Sequence, residues 1–92
     1  MRVIWSHLAI RRLEEIRSFI ATDAPLTADQ VIRRLISSMD RLTDFPFSGR
    51  VVPEYEVKEI REIIDPPYRI LYRVYRDRIE IVSVIHSRQT LR

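Results

Sequence analysis

Apolar positions at Ala9, Leu13, Ile16 and Ile20 keep one helical face inward, while Arg11, Arg12, Glu14, Glu15 and Arg17 fill the other. Ser6 is placed to cap that helix, which is predicted to run to about residue 22 after a short apolar strand, MRVIW, at residues 1–5. DAPL breaks it, and TADQ has the form of a capping box, with Thr27 at the cap and Gln30 three residues on. The second helix then extends to about Asp44, with Val31, Leu35, Met39 and Leu42 as its buried stripe. The pair reads as a helical hairpin, and Met39, Phe19 and Phe45 are expected to fill the core beside it.

Beyond the hairpin the period changes. FPFSGRVVPE carries the single glycine and two prolines, so it reads as an ordered loop in which Gly49 is expected at positive φ. EVKEIREII at 56–64 predicts a strand, DPP turns the chain, and YRILYRVY and RIEIVSVIH predict two more before a polar end, SRQTLR. The order β-α-α-β-β-β defines an α+β fold. One domain spanning 1–92 is expected, its hairpin packed on one face of a small twisted antiparallel sheet.

A two-residue turn at Asp77 and Arg78 sets Arg76 opposite Ile79 and Arg69 opposite His86. One face then carries Tyr68, Ile70, Tyr72, Val74, Ile79, Ile81, Ser83 and Ile85, which the helices must cover. The other carries Arg69, Leu71, Arg73, Tyr75, Glu80, Val82, Val84 and His86. It is expected to stay open as a partner surface.

Composition narrows the chemistry. With 92 residues, no cysteine and two separated histidines, disulfides and thiolate metal sites are excluded, and no metal or cofactor is expected. No apolar run approaches the roughly 20 residues that span a bilayer, so a cytoplasmic protein with no membrane partner is expected. The net charge of +3 arises after residue 57, where eight basic residues meet five acidic ones. Arginine supplies fifteen of the sixteen cations, a bias toward planar, bidentate contacts that high genomic GC content would also produce.

The A…L…I…I stripe, the FPFSGR loop, IRE, YRILYRV and the closing VIHSR together resemble the RelE/ParE superfamily of toxins from type II toxin-antitoxin systems, over nearly the whole chain. That resemblance implies a helical hairpin on an antiparallel sheet and a cognate antitoxin that wraps the toxin; because the sequence has no helix-turn-helix pattern and its helices are charge-balanced, operator DNA is expected to be reached only through the antitoxin. The resemblance also implies one of two actions. ParE-like members poison DNA gyrase without catalysis; RelE-like members are ribosome-dependent mRNA endoribonucleases that need no metal.

For the nuclease, Arg69 matches the strand arginine of RelE-like enzymes and could stabilise the phosphate with Arg88, while His86 could move a proton, with Glu56 or Glu59 as carboxylates. Against it, the lysine cluster and C-terminal tyrosine of RelE are absent, and guanidinium is a poor base. A histidine at a strand end is also more often structural, and Arg73 is placed to pair with Glu80 across the hairpin. The sequence therefore favours a ParE-like gyrase poison with no catalytic residues. Arg69, Leu71, Arg73, Tyr75, Val82, Val84, His86 and Arg88 form its expected antitoxin surface, and the ribosome-dependent nuclease acting on mRNA is the alternative.

Overall fold

The computed structural model describes residues 1–88; the last four residues of the expected polar end lie outside them. Strand β1 (Arg2–Trp5) leads into helices α1 (His7–Ala21) and α2 (Pro25–Ser37), and a 3-10 turn, Asp40–Thr43, follows. The sheet is completed by β2 (Arg50–Val51), β3 (Ile60–Asp65), β4 (Tyr68–Val74) and β5 (Arg78–His86), in the order β1-β5-β4-β3-β2. The expected α+β layout holds, with β1 joining β5 in parallel and every other pair antiparallel. Among the described residues no helix is long and apolar enough to cross a membrane.

Ser6 caps α1 as its sequence position requires. Its Oγ accepts from the Ala9 N–H at 3.0 Å and donates to the Val82 carbonyl at 2.9 Å, so one hydroxyl fixes both the helix start and its seat on the sheet. Helix α2 starts differently. Its cap is Ala24, with no side-chain hydrogen bond, and Pro25 occupies the first turn, where its missing N–H costs nothing. Thr27 therefore lies exposed inside the helix rather than at its cap. We expect Ser6→Ala to cost about 1 kcal/mol. Thr27→Ala, which places the better helix former at an exposed site, should add up to about 0.5 kcal/mol. Thermal melts of the two variants should therefore move in opposite directions.

Ala9 and Leu13 of α1 and Leu35 of α2 pack with Met39 and Leu42 onto Ile63, Ile70, Tyr72, Val74, Ile79 and Ile81 of the sheet. Met39 fills the core as expected, but Phe19 and Phe45 do not: they are 82% and 66% exposed. Phe19 sits one position off the Ile16–Ile20 stripe, on the flank of α1, and Phe45 follows the 3-10 turn in which Leu42 is the buried residue.

Gly49 departs from expectation too, because it takes no positive φ. Its requirement is steric: a Cβ there would lie 2.5 Å from the Glu62 carbonyl oxygen and 2.7 Å from the Tyr72 hydroxyl. The loop is held at this point, since the Tyr72 hydroxyl accepts from the Gly49 N–H at 2.9 Å and donates to the Pro46 carbonyl at 2.8 Å. Burial raises the Tyr72 pKa, which keeps that donor protonated.

The β4–β5 hairpin turns at Arg76 and Asp77, with the Tyr75 N–H donating to the Arg78 carbonyl, one residue earlier than the sequence suggested. This moves the partners by two and keeps the faces, setting Arg73 opposite Glu80 and Val74 opposite Ile79. A β-bulge then inverts the rest. Tyr72 pairs with Ile81 but Leu71 pairs with Ser83, leaving Val82 as the extra residue. It falls where β1 ends and Ser6 crosses to the Val82 carbonyl. Beyond it, Val84 and His86 turn to the helix side, opposite Ile70 and Tyr68, while Ser83 and Ile85 turn to the other face.

Candidate functional site

The face away from the helices is divided between a charge network and an apolar hollow. Strand β3 pairs with β4 through the Pro66–Pro67 turn, setting Glu62 opposite Leu71 and Arg69 opposite Ile64, so Glu62 and Arg69 are diagonal neighbours on this face. The Arg69 Nε donates to Glu62 Oε1 at 2.7 Å. Its two terminal nitrogens donate to the two oxygens of Glu54 at 2.8 Å each, a bidentate clamp. Arg50 closes the row, its Nε donating to Glu62 Oε2 at 2.6 Å.

The series Arg50, Glu62, Arg69, Glu54 alternates in sign and sums to zero. Its centre is closed to solvent, with Glu62 only 1% exposed and Arg69 7% exposed. Glu54 arrives on a loop that also brings Val52 over Leu71 and Ile85, so this half of the face is covered rather than open as expected. The sequence reading missed both carboxylates on Arg69. Glu56, at a φ of 54°, and Glu59 are exposed, and neither bonds to it.

The Arg69 hydrogen bonds hold the Glu54 carboxyl at about 2, against an ordinary value of 4.5. The sign follows directly. Between those values the unfolded chain binds the proton that the folded chain refuses, so this contribution is complete above about pH 4.5 and is lost as pH falls toward about 2. The melting temperature of Glu54→Gln should therefore fall less steeply than that of the parent across this window. Parallel curves would show that Glu54 is not the titrating partner of Arg69.

Two hollows flank the outer half of β5. Strand β1 pairs only with Arg78–Ile81, so among the described residues no strand lies along the outer side of Ser83–His86. On one side of this edge, Leu71, Val82, Ser83, Ile85, Arg73 and Tyr75 line a hollow of about 540 Å³, with Leu8 of α1 as its wall and Tyr55 at its rim. On the other side, Ile16, Phe19, Ile20, Tyr68, Val84 and His86 line one of about 420 Å³. Arg12 borders both, and its guanidinium reaches Glu15 at 3.2 Å.

The residues singled out from sequence thus separate into groups. Leu71, Arg73, Tyr75 and Val82 share the first hollow. Arg69 lies on the same face but is committed to its carboxylates. Val84 is core, at 1% exposed, and His86 belongs to the second hollow, edge-on to Tyr68 with ring centroids 6.0 Å apart. Arg88 is exposed, and its backbone N–H donates to His86 Nδ1 at 3.1 Å. The bulge is the reason that Arg69 and His86, expected opposite each other, stand on opposite faces. Arg73 and Glu80 are register partners, yet the Arg73 guanidinium sits 5.1 Å from the centre of the Tyr75 ring.

This fold agrees with known proteins. Residues 3–91 match the family model described as the ParE toxin of the type II toxin-antitoxin system, parDE. The chain is 40% identical to the Y4kP protein of Sinorhizobium fredii over 96% of this chain and 90% of that one. It is 32% identical to toxin RelE2 of Caulobacter vibrioides over 94% of each. Among solved structures, it superposes on a chain of the chromosomal ParDE system of P. aeruginosa with a TM-score of 0.79 at 20% identity, covering 94% of this chain and 95% of the other. For a chain of the RelBE2 complex of Mycobacterium tuberculosis the TM-score is 0.59 at 20% identity, covering 92% and 95%. The chain belongs to the ParE toxin family of type II toxin-antitoxin systems, within the RelE/ParE superfamily.

Proposed function

We propose that this toxin acts by binding rather than by cleaving a bond, with DNA gyrase as its target and a cognate antitoxin as its inhibitor. The observation that carries this reading is the commitment of Arg69 to Glu62 and Glu54 on one face while His86 occupies the other. An acid-base cleavage of RNA needs a proton-transfer group and a phosphate-binding cation converging on one phosphate. The match of residues 3–91 to the ParE toxin family model supports the same reading.

The antitoxin is read onto the outer half of β5, where a free strand edge has an apolar hollow on each side. An extended segment laid along such an edge sends alternate side chains into the two hollows. Its apolar residues would face Leu71, Val82 and Ile85, and a carboxylate would face Arg73. Operator DNA would be reached through the antitoxin.

The second reading, a ribosome-dependent mRNA endoribonuclease, draws support from the 32% identical relative named toxin RelE2. Brief expression in cells separates the two. Gyrase-linked DNA damage with filamentation is the expected result, and rapid translation arrest with cleaved mRNA would overturn the leading reading. In the same assay a folded His86→Ala protein should still arrest growth. Were His86 a general acid or base, that variant would lose roughly a hundredfold or more of its cleavage rate and would be harmless.

A further inference from the structure

We propose that the end of the sheet around the β4–β5 turn binds single-stranded nucleic acid. It lies at the opposite end of β4 from Arg69 and shares Arg73 and Tyr75 with the first hollow, but it concerns a different ligand and stands whether or not the antitoxin covers that hollow. The rings of Phe47 and Tyr75 share a hollow of about 330 Å³ with Val74 and Arg76. Each ring carries cations. The Arg61 guanidinium lies 5.0 Å and the Lys58 ammonium 5.7 Å from the centre of Phe47, and Arg78 and Arg73 lie 4.1 Å and 5.1 Å from the centre of Tyr75.

The charge here is not balanced as it is around Arg69. Arg2, Lys58, Arg61, Arg73, Arg76 and Arg78 gather around these rings and the turn, where the hollow, the strand register and the ion pairs bring in Glu59, Glu80 and Asp77. These six side-chain cations outnumber the three carboxylates by three. Among the described residues Arg2, Arg73 and Arg76 have no carboxylate partner, and Arg78 is paired only with the exposed Asp77, at 2.9 Å. Register sets Arg2 beside Arg78, so β1 adds a cation where β5 already has one.

Uncompensated cations select a polyanion, and the aromatic rings narrow the choice. A ring with a guanidinium close to it offers a stacking surface that every base fits, while the N–H groups reach the phosphates. A run of acidic residues satisfies the charge but brings no ring to the recess beside Phe47 and Tyr75, whereas every nucleotide brings both a charge and a ring. A duplex keeps its bases stacked on one another and out of that recess.

Fluorescence anisotropy of the full chain with a labelled oligothymidine of about 12 nucleotides tests this, the length falling within known single-strand site sizes. Saturable binding is expected, with log affinity falling against log salt at a slope of about −2 if Arg2, Arg73 and Arg76 each meet one phosphate. Tyr75→Leu should weaken it about 5- to 150-fold. Arg76→Ala, at an exposed turn where folding is not at stake, should flatten the slope by about 0.7, while Arg11→Ala on the far side of α1 removes the same charge and should leave it unchanged. The proposal is overturned by absence of saturable binding, or by Arg11→Ala matching Arg76→Ala. Equal affinity for a duplex of the same length, or displacement by polyglutamate as effective as by unlabelled strand, would overturn it in favour of general charge or a protein partner.

Discussion

Arg69→Ala is expected to destabilise the protein by about 3 to 5 kcal/mol, because it strands the fully buried Glu62 carboxylate beside one exposed arginine. A domain of this size has roughly 5 to 15 kcal/mol in total, so the variant should melt at least about 12 °C lower, and at the low end of that range a large share of it unfolds. Loss of toxicity or of antitoxin binding in Arg69→Ala would therefore report on folding. The double variant Glu62→Leu/Arg69→Met separates the pair from its surroundings. It removes both buried charges, while Arg50 and Glu54 keep access to water, their side chains being 58% and 28% exposed. It should be more stable than Arg69→Ala, as replacements of whole buried ion pairs commonly are. An Arg69→Ala protein with an unchanged midpoint that had nonetheless lost its activity would show that the arginine serves a target and not the fold.

This network was partly legible in the sequence. Pro66–Pro67 is a two-residue turn between strands, and the register it sets makes Glu62 and Arg69 diagonal neighbours on one face. Reading β3 from residue 56 rather than from Ile60 hid the pairing. Glu54 was beyond reach, since its place on Arg69 depends on the path of a loop whose turn at Glu56 takes a left-handed φ that no glycine advertises.

The helices show the same division between local and distant causes. The stripe through Ala9 and Leu13 and the cap at Ser6 are set by local spacing, and the structure places them as the sequence implied. At α2 two local signals compete, Thr27 with Gln30 against Pro25, and the proline wins because its fixed φ already suits a first helical turn. Gly49 shows a third case. A lone glycine before a strand suggests positive φ, but here the reason is the approach of β3 and the Tyr72 hydroxyl, which only tertiary packing supplies.

The bulge at Val82 matters most for function. An unbroken register would have gathered Arg69, Val84 and His86 on one face; one extra residue sends Val84 into the core and His86 to the helix side, and brings Ile85 beside Leu71. No side chain in RIEIVSVIH signals it, because Ile81, Val82, Val84 and Ile85 suit either face equally. The rearrangement also gives the free edge of Ser83–His86 an apolar hollow on each side, which neither face alone would have provided.

That double-sided edge leads to the second large effect. Leu8 walls the first hollow from the opening turn of α1, where a carboxylate is favoured by the helix N-terminus and costs the fold little. Leu8→Asp should therefore melt within a few degrees of the parent while presenting a charge to the apolar side chains of any segment seated along β5. Burying that charge against apolar side chains should weaken antitoxin binding about tenfold or more even where Arg12, one turn on, pairs with it, most of the loss coming through faster dissociation. Calorimetry on the purified pair measures the affinity, and cells give an independent readout: co-expressed antitoxin should rescue growth from the parent toxin and fail to rescue it from Leu8→Asp. Full rescue with unchanged affinity would place the antitoxin elsewhere on the molecule. A comparable loss from Arg11→Ala, on the solvent side of the same helix, would trace the effect to overall charge instead of to the hollow.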